Sequence, residues 1–340
     1  YHLTHETLGE LIVKKEFSSL LEGIRRSPHG YFEEGEVIKA EYIGYLMRKG
    51  SQISEYRDIP CWLSFVQPLF SGVYTVDNLD YVLRDSYMCG VAVGPVDLER
   101  LMYYTFMTEK GLALHRAGSG ALTMFLNSRL YLYQNVYYHR TTRAIDLHLK
   151  EIFHDTMLNL FPVDPSKNLS EYLNLTDWFV LEEVKGWAKS GRKRLRKLGE
   201  EWLKILSRHV KWKMAYESIL PINEPLRGFT FVKEEDLERQ IRRYLPPHLR
   251  NKEMRIDMAI QDPRPLNPLS MGDKQIHIYN PSTGEVSKEP LREFFQYIPA
   301  RVAQLRVYCL DHDHDREISE AAEKAINRSE YHLSAFETNV

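Results

Sequence analysis

The stretch VDNLDYVLRDS, Val76 to Ser86, sets three aspartates and an arginine among Val, Leu and Tyr. On a helix, Asp77, Tyr81 and Asp85 stand at i, i+4 and i+8, one stripe that drifts about 40° per step. Asp80 and Arg84 form a second i, i+4 pair with the spacing of an ion pair. Val76, Leu79 and Leu83 point to other sides, and a helix that is apolar around much of its circumference is expected to be mostly buried. Buried carboxylates are costly unless they are paired, hydrogen-bonded or bound to metal. Two readings stand side by side. In one, Asp80–Arg84 is structural and the other acids face solvent. In the other, Asp77 binds a metal, Asp85 binds a polar ligand group, and Tyr81 offers a flat face between them.

A second stripe follows the same logic. In SRLYLYQNVYYHRTTR, residues 128–143, Arg129, Tyr133 and Tyr137 are again at i, i+4 and i+8, with His139, Arg140 and Arg143 after them. A cation and two aromatics on one line can hold a phosphate and a sugar or base. The competing reading is that tyrosines on a long helix are core. Together the stripes suggest a cleft with an acidic wall and a cationic, aromatic wall, a composition that suits a nucleotide bound through a divalent ion.

Around these stripes the chain reads as helical over residues 1–26, from Glu36 to Lys49 ahead of Gly50, over 62–90, from about 96 to 107, over 119–160 and over about 168–220. TEKGLALHRAGSG, after residue 107, reads as a short hairpin or turn. From residue 221 composition shifts. Phe229–Val232, MRIDMAI and KQIHIYN read as strands, QDPRPLNPLSMGD as a Pro-rich loop, and Glu234–Tyr244 and 316–328 as helices, with ARVAQLRVYCL a helix end or a third strand. The expected fold class is mainly α: a helical body over 1–220 and a small α+β subdomain over 221–340.

The gross numbers narrow the function classes. The chain has 340 residues and a net charge of −2, which argues against bulk DNA binding though not against local basic patches. No apolar run reaches the ~18 residues that a membrane span needs, and the start of the chain shows no secretory pattern. Cys61, Cys89 and Cys309 are scattered with no CxxC, so a disulfide framework or zinc knuckle is not expected and a cytoplasmic setting is. No GxxxxGK[ST], GxGxxG or HExxH occurs. His148 and His154 are six apart, a poor chelating geometry on a helix. The run from Lys189 to Lys197 reads as a solvated helix face, with a contact to nucleotide phosphates or nucleic acid as the alternative.

The block VDNLDYVLRDSYMCGV…VDLERL resembles the signature of the HD-domain deoxynucleoside triphosphate triphosphohydrolases. THETLGELI (4–12), SRLYLYQNVYYHRTTRAID and LRVYCLD (305–311) resemble further segments of that family in order and spacing. The resemblance implies an HD-type helical body that hydrolyses dNTPs to deoxynucleoside and inorganic triphosphate. It implies a divalent metal (Mn, Mg, Fe or Zn) with Asp77 as one ligand. By the same resemblance Arg129 grips the triphosphate, and Tyr81 packs on sugar and phosphates. Asp85 accepts the deoxyribose 3′-OH, Tyr133 and Tyr137 belong to the substrate site, and His5 lies near the reaction. Asp97, Arg100 and Tyr104, with His139 and Arg140 nearby, match positions that bind an activating nucleotide. A homo-oligomer is implied, with nucleic acid a less favoured partner and no membrane.

Some positions depart from the family. Asn78 stands where a lysine is found in some relatives, and Tyr133 replaces a histidine. The family's first histidine and His-Asp pair would precede the segment matching His5, and the chain, which begins with Tyr1, starts too late to contain them. The expectation is that they belong to an upstream part of a longer protein and that this stretch alone is inactive. DHDHD (311–315) reads as an exposed acidic turn. Two other functions stay open: a nucleotide-binding regulatory module without chemistry, and an HD-type nuclease or phosphodiesterase.

Overall fold

The computed structural model describes residues 3–48, 56, 59–72, 74–222, 233–261, 277–287 and 301–334. The chain runs α1 (His5–Lys15), α2 (Ser18–Gly23), the short β1 (Arg26–Ser27) and β2 (Gly30–Tyr31), α3 (Ala40–Met47), α4 (Cys61–Val66), α5 (Pro68–Ser71), α6 (Val76–Cys89) and α7 (Leu98–Tyr103). A hairpin of β3 (Thr105–Thr108) and β4 (Gly111–His115) leads into α8 (Ser119–Leu132), a π-helical turn (Tyr133–Tyr137) and α9 (Arg140–Leu160). Then come α10 (Leu169–Leu173), α11 (Asp177–Trp187), α12 (Lys193–Leu206), β5 (Lys213–Ile222), α13 (Glu234–Tyr244), β6 (Met254–Gln261), β7 (His277–Asn280), β8 (Glu285–Ser287), β9 (Arg301–Cys309) and α14 (Asp315–Ser334). Gly50, the strand expected at Phe229–Val232 and the Pro-rich loop beyond Gln261 lie outside the described residues.

The expectation of a mainly α protein, an HD-type helical body with a small α+β appendage, is corrected. The described residues are 57% helix and 15% strand, with three sheets among them, a mixed α/β architecture. One sheet joins distant parts of the chain: β3 and β4 are antiparallel, β4 pairs parallel with β7, and β7 pairs with β8. Another sheet has the order β5-β9-β6, all antiparallel. The division expected at residue 220 falls inside β5, whose residues 213–220 were read as helix. Long-range pairing with β9 outweighs the helical propensity of that stretch, because each strand residue gains ladder bonds and a buried face only once β9 is alongside.

Local signals explain most boundaries. Thr75 caps α6 by accepting the Asn78 N–H at 3.1 Å, Asp77 sits in the first turn where the helix dipole favours an acid, and Gly90 ends the helix at φ 65°. The helix expected over 62–90 is three helices. Pro68 opens the second, and a Cβ at Gly72 would stand 2.2 Å from the Pro68 carbonyl oxygen, so the chain turns away there. The expected 119–160 helix is interrupted too. The Tyr138 N–H bonds to the Tyr133 carbonyl at 2.7 Å, five residues back, and α9 restarts with His139 capping the Thr141 N–H.

The core beneath α6 is built by Val82, Leu101, Leu112, Leu114, Phe125, Leu126, Leu132 and Ile278, drawn from α6, α7, α8, β4 and β7. A second core lies between the β5-β9-β6 sheet and α13 and α14. The other face of that sheet meets α9, where Ala144, Trp212 and Tyr308 are buried together. Among the described residues no helix is long and apolar enough to cross a membrane.

Tyr74 belongs to the first core, 2% exposed, with its hydroxyl 2.5 Å from Thr105 Oγ1. Burial pushes its phenol up to about 12, and the Thr105 bond offsets part of that rise. The unfolded chain releases this proton from about pH 10. The contribution to stability is therefore complete below pH 10 and is lost as pH rises from 10 to 12, at roughly 1.4 kcal/mol per unit. Urea midpoints measured at pH 10, 11 and 12 should fall across that window, and Tyr74→Phe should flatten the fall. An unchanged slope in the variant would show that other groups set the alkaline limit.

Candidate functional site

Helix α6 packs against α8, and this contact brings the two stripes together. Arg129 donates from Nε to the Tyr81 hydroxyl at 2.9 Å. That hydroxyl stands 3.5 Å from the Tyr133 hydroxyl, and the Arg129 guanidinium lies 5.8 Å from the Tyr133 ring centre. Tyr81 meets Tyr133 and Tyr137 edge-on with ring centres 6.4 and 6.2 Å apart, and Tyr133 meets Tyr137 at 4.9 Å. The Tyr137 hydroxyl donates to Asp85 Oδ2, and Arg84 donates to Asp85 Oδ1 at 2.7 Å. Arg84 also holds Asp80 through Nε and Nη2 at 3.1 and 3.0 Å. The i, i+4 pair read from the sequence is present, and its extension to Asp85 was not foreseen.

The π turn has a geometric consequence. An α-helical stripe drifts steadily around the axis, whereas a wider turn advances less per residue and cancels part of the drift. Tyr133 and Tyr137 thereby stay aimed at α6. Burial raises the Tyr81 phenol well above its ordinary range, with the Tyr133 hydroxyl adding to the rise. Burial likewise raises Tyr137, and the Asp85 carboxylate reinforces the effect. Both phenols are therefore protonated at neutral pH and act as donors. Asp85 accepts one bond on each oxygen and keeps further lone pairs for a ligand hydroxyl.

Asp77 lies one turn before Tyr81, exposed and with no ion pair among the described residues. The apolar residues of α6 are less buried than expected: Val82 is fully covered, but Val76 is 54% exposed and Tyr87 86%. Asp77 and Asp80 are thus surface groups and Asp85 is half-buried, and for Asp77 desolvation gives no reason of its own for a metal. Among the described residues no group of three or more His, Cys, Asp or Glu is placed to hold an ion. His5 is 88% exposed and pairs with Glu6, with no hydrogen bond or ion pair to α6 or α8 among the described residues.

The positions matched to an activator site divide. Asp97 caps α7 by accepting the Arg100 N–H at 2.9 Å. Arg100 reaches the Ala117 carbonyl at 3.3 Å and lies over the Tyr104 ring. Tyr104 stacks on His115, which meets Tyr279 of β7, two partners that the sequence reading missed. His139 caps α9, and the Arg140 carbonyl accepts the Tyr308 hydroxyl at 2.8 Å. No hydrogen bond, ion pair or ring contact joins these two residues to Arg100 or Tyr104 among the described residues.

Three further expectations can be placed. DHDHD is a turn before α14, with Asp311 bonded to Lys252 and His312 to Asp315. His148 is a buried histidine satisfied by Glu201 at 2.7 Å. The Arg143 guanidinium lies over the Tyr138 ring, 5.7 Å from its centre. It is forked onto Asp257 of β6.

No family model matches the chain. It is 27% identical over 143 residues to the uncharacterized protein YwfO of Bacillus subtilis (strain 168), covering 41% of this chain and 33% of that protein. It is 34% identical over 87 residues to the uncharacterized protein MJ1154 of Methanocaldococcus jannaschii, covering 24% of this chain and 19% of that protein. The matched part thus spans a third or less of these relatives. Among solved structures, a hypothetical protein from Aquifex aeolicus shares the fold at TM-score 0.51 and 21% identity, over 92% of this chain and 75% of that one.

Proposed function

We propose that the face between α6 and α8 recognises a deoxynucleoside triphosphate, and that the whole protein hydrolyses it to deoxynucleoside and inorganic triphosphate. The observation that carries this reading is the polarity of one tyrosine cluster: Arg129 bonded to Tyr81 at one end, Asp85 bonded to Tyr137 at the other. A dNTP has the same polarity, anionic at the phosphates and hydroxyl-bearing at the sugar. Arg129 spends Nε on Tyr81 and presents its remaining N–H groups to phosphate oxygens in a planar fork. Asp85 accepts the 3′-OH. The Tyr137 ring packs under the sugar, where it crowds a 2′-hydroxyl. Tyr81 and Tyr133 hold Arg129 and exclude water.

The described residues do not by themselves make a metal site, since Asp77 is a single exposed carboxylate. Asp77 is proposed as one member of a ligand set for Mn, Mg, Fe or Zn completed by other parts of the protein. A homo-oligomer and an activating nucleotide near Arg100 and Tyr104 remain part of the same proposal.

The test is binding and product analysis with each dNTP in the presence of Mn²⁺. A dideoxy analogue should bind about 10- to 100-fold more weakly than its dNTP, because it leaves the Asp85 carboxylate without its hydroxyl partner. Asp85→Asn should narrow that gap. Chromatography should find deoxynucleoside and triphosphate as products. Equal binding of the dideoxy compound removes the sugar assignment. Diphosphate plus orthophosphate rejects the reaction. Binding without turnover by the whole protein leaves a nucleotide-sensing module, and cleavage of oligonucleotides without dNTP turnover points to a nuclease.

A further inference from the structure

Helices α11 and α12 form an antiparallel hairpin over Ile152 of α9, with Val184, Trp187, Leu195, Leu198 and Trp202 in the shared core. The approach is close at the tip. A Cβ at Gly199 would stand 2.2 Å from the Ala188 backbone nitrogen, so only glycine lets the helices meet there. On this rigid tip Lys189, Arg192, Lys193, Arg196 and Lys197 are all exposed. None of the five has an ion-pair partner among the described residues, whereas their neighbour Arg194 is held by Asp155 at 3.0 Å. The first turn of α12 contains no acid. Arg192, Lys193 and Arg196 stand at the positive end of the α12 dipole with no ion-pair partner among the described residues, an arrangement that opposes folding. Stability does not explain their placement, whereas a polyanionic partner does.

Helix α11 adds a second feature. Trp178, Glu182 and Lys185 are spaced i, i+4 and i+7 on one stripe of α11, and Lys189 follows in the turn two residues past the helix's last residue, Trp187. Glu182 is neutralised within that stripe by Lys185. At its far end Trp178 is 79% exposed, a large indole that the core does not use. From Trp178 to the helix's last residue, Trp187, is about 14 Å at helical rise, a span of a few nucleotides, with Lys189 two residues beyond. Backbone-tracking cations beside an exposed aromatic form a stacking platform for unpaired bases.

We propose that the α11–α12 hairpin is a docking surface for single-stranded nucleic acid. The five cations follow the phosphates, and Trp178 stacks a base. The surface is separate from the Arg129 cluster and does not rest on the nucleotide reading.

Labelled oligo-dT, titrated with the full chain and read by anisotropy at several NaCl concentrations, tests the proposal. The binding constant should fall with salt at a log–log slope of about −3.5, near −0.7 for each of five phosphates contacted. The triple variant Lys193→Glu/Arg196→Glu/Lys197→Glu should weaken binding more than tenfold at 0.1 M salt. Its melting temperature should hold or rise, since acids near a helix N-terminus are favoured. Trp178→Ala, at an exposed position, should weaken binding severalfold, keep the salt slope and abolish the fluorescence quench on binding. Arg129→Ala should bind oligo-dT as the parent does. Several results overturn the proposal: parental binding by the triple variant, an unaffected Trp178→Ala, or duplex bound as tightly as single strand. So does capture by anionic vesicles, or loss of self-association in the triple variant, with no oligo-dT binding.

Discussion

Replacing Arg129 with alanine should lower dNTP turnover by about two to three orders of magnitude, the range seen when a preorganised donor to developing phosphate or oxyanion charge is removed. Where binding alone is measured, dNTP affinity should fall about 10- to 100-fold, the worth of a hydrogen bond to a charged group. Arg129→Lys should recover little. The guanidinium bonds Tyr81 through Nε while its outer edge stays available, and an ammonium cannot do both at that distance. The fold should survive, because the partly buried Arg129 contacts tyrosines that keep one another's rings. Arg194→Ala, which removes only an exposed pair with Asp155, is the matched control and should change nothing. Equal behaviour of the two variants would mean that the tyrosine cluster is not the phosphate site.

Arg143→Ala should cost about 3–5 kcal/mol, the largest stability effect expected of one substitution here. Arg143 grips both oxygens of Asp257, and that carboxylate is 1% exposed. Truncating the arginine strands a buried charge with no water to replace the partner. Asp257→Ala should cost less, since Arg143 retains Asp146 at 3.5 Å and is itself 17% exposed. The effect should reach the site as well. Tyr138 donates to the Ile260 carbonyl at 3.0 Å and Tyr308 donates to the Arg140 carbonyl at 2.8 Å, so three residues just past the π turn are tied to one sheet. Loosening them should weaken dNTP binding through Tyr137 with no ligand contact of their own. Urea unfolding and calorimetric titration of the same variants separate the two losses. A parental urea midpoint in Arg143→Ala would show that the pair is energetically idle.

The legibility of this protein follows the range of the interactions involved. The stripes Asp77–Tyr81–Asp85 and Arg129–Tyr133–Tyr137 were readable because helical spacing acts over one or two turns. The boundaries at Pro68 and Thr75, though set by equally local signals, were passed over when 62–90 was read as one helix. The burial of α6 was misjudged, because apolar content does not reveal which neighbours arrive to cover it: Val82 is covered and Tyr87 is not. Residues 213–220 were taken for helix because their strand partner, β9, lies some ninety residues further on. His115 and Tyr279 were missed beside Tyr104 because they meet only when β4 and β7 align.

The amino-acid order by itself determined which side chains share a helix face, but not the breaks at Pro68–Gly72 and at the π turn, which fall inside stretches read as continuous helix. A shared face is a local property, set by backbone geometry over a few residues. Only the tertiary structure decided that Arg129 meets Tyr81 and Tyr137 meets Asp85, across separations of 48 and 52 residues, and that strands from both halves complete one sheet. Such contacts form where closing a long loop is repaid by burying a shared core, a balance summed over the whole chain rather than written in any segment of it.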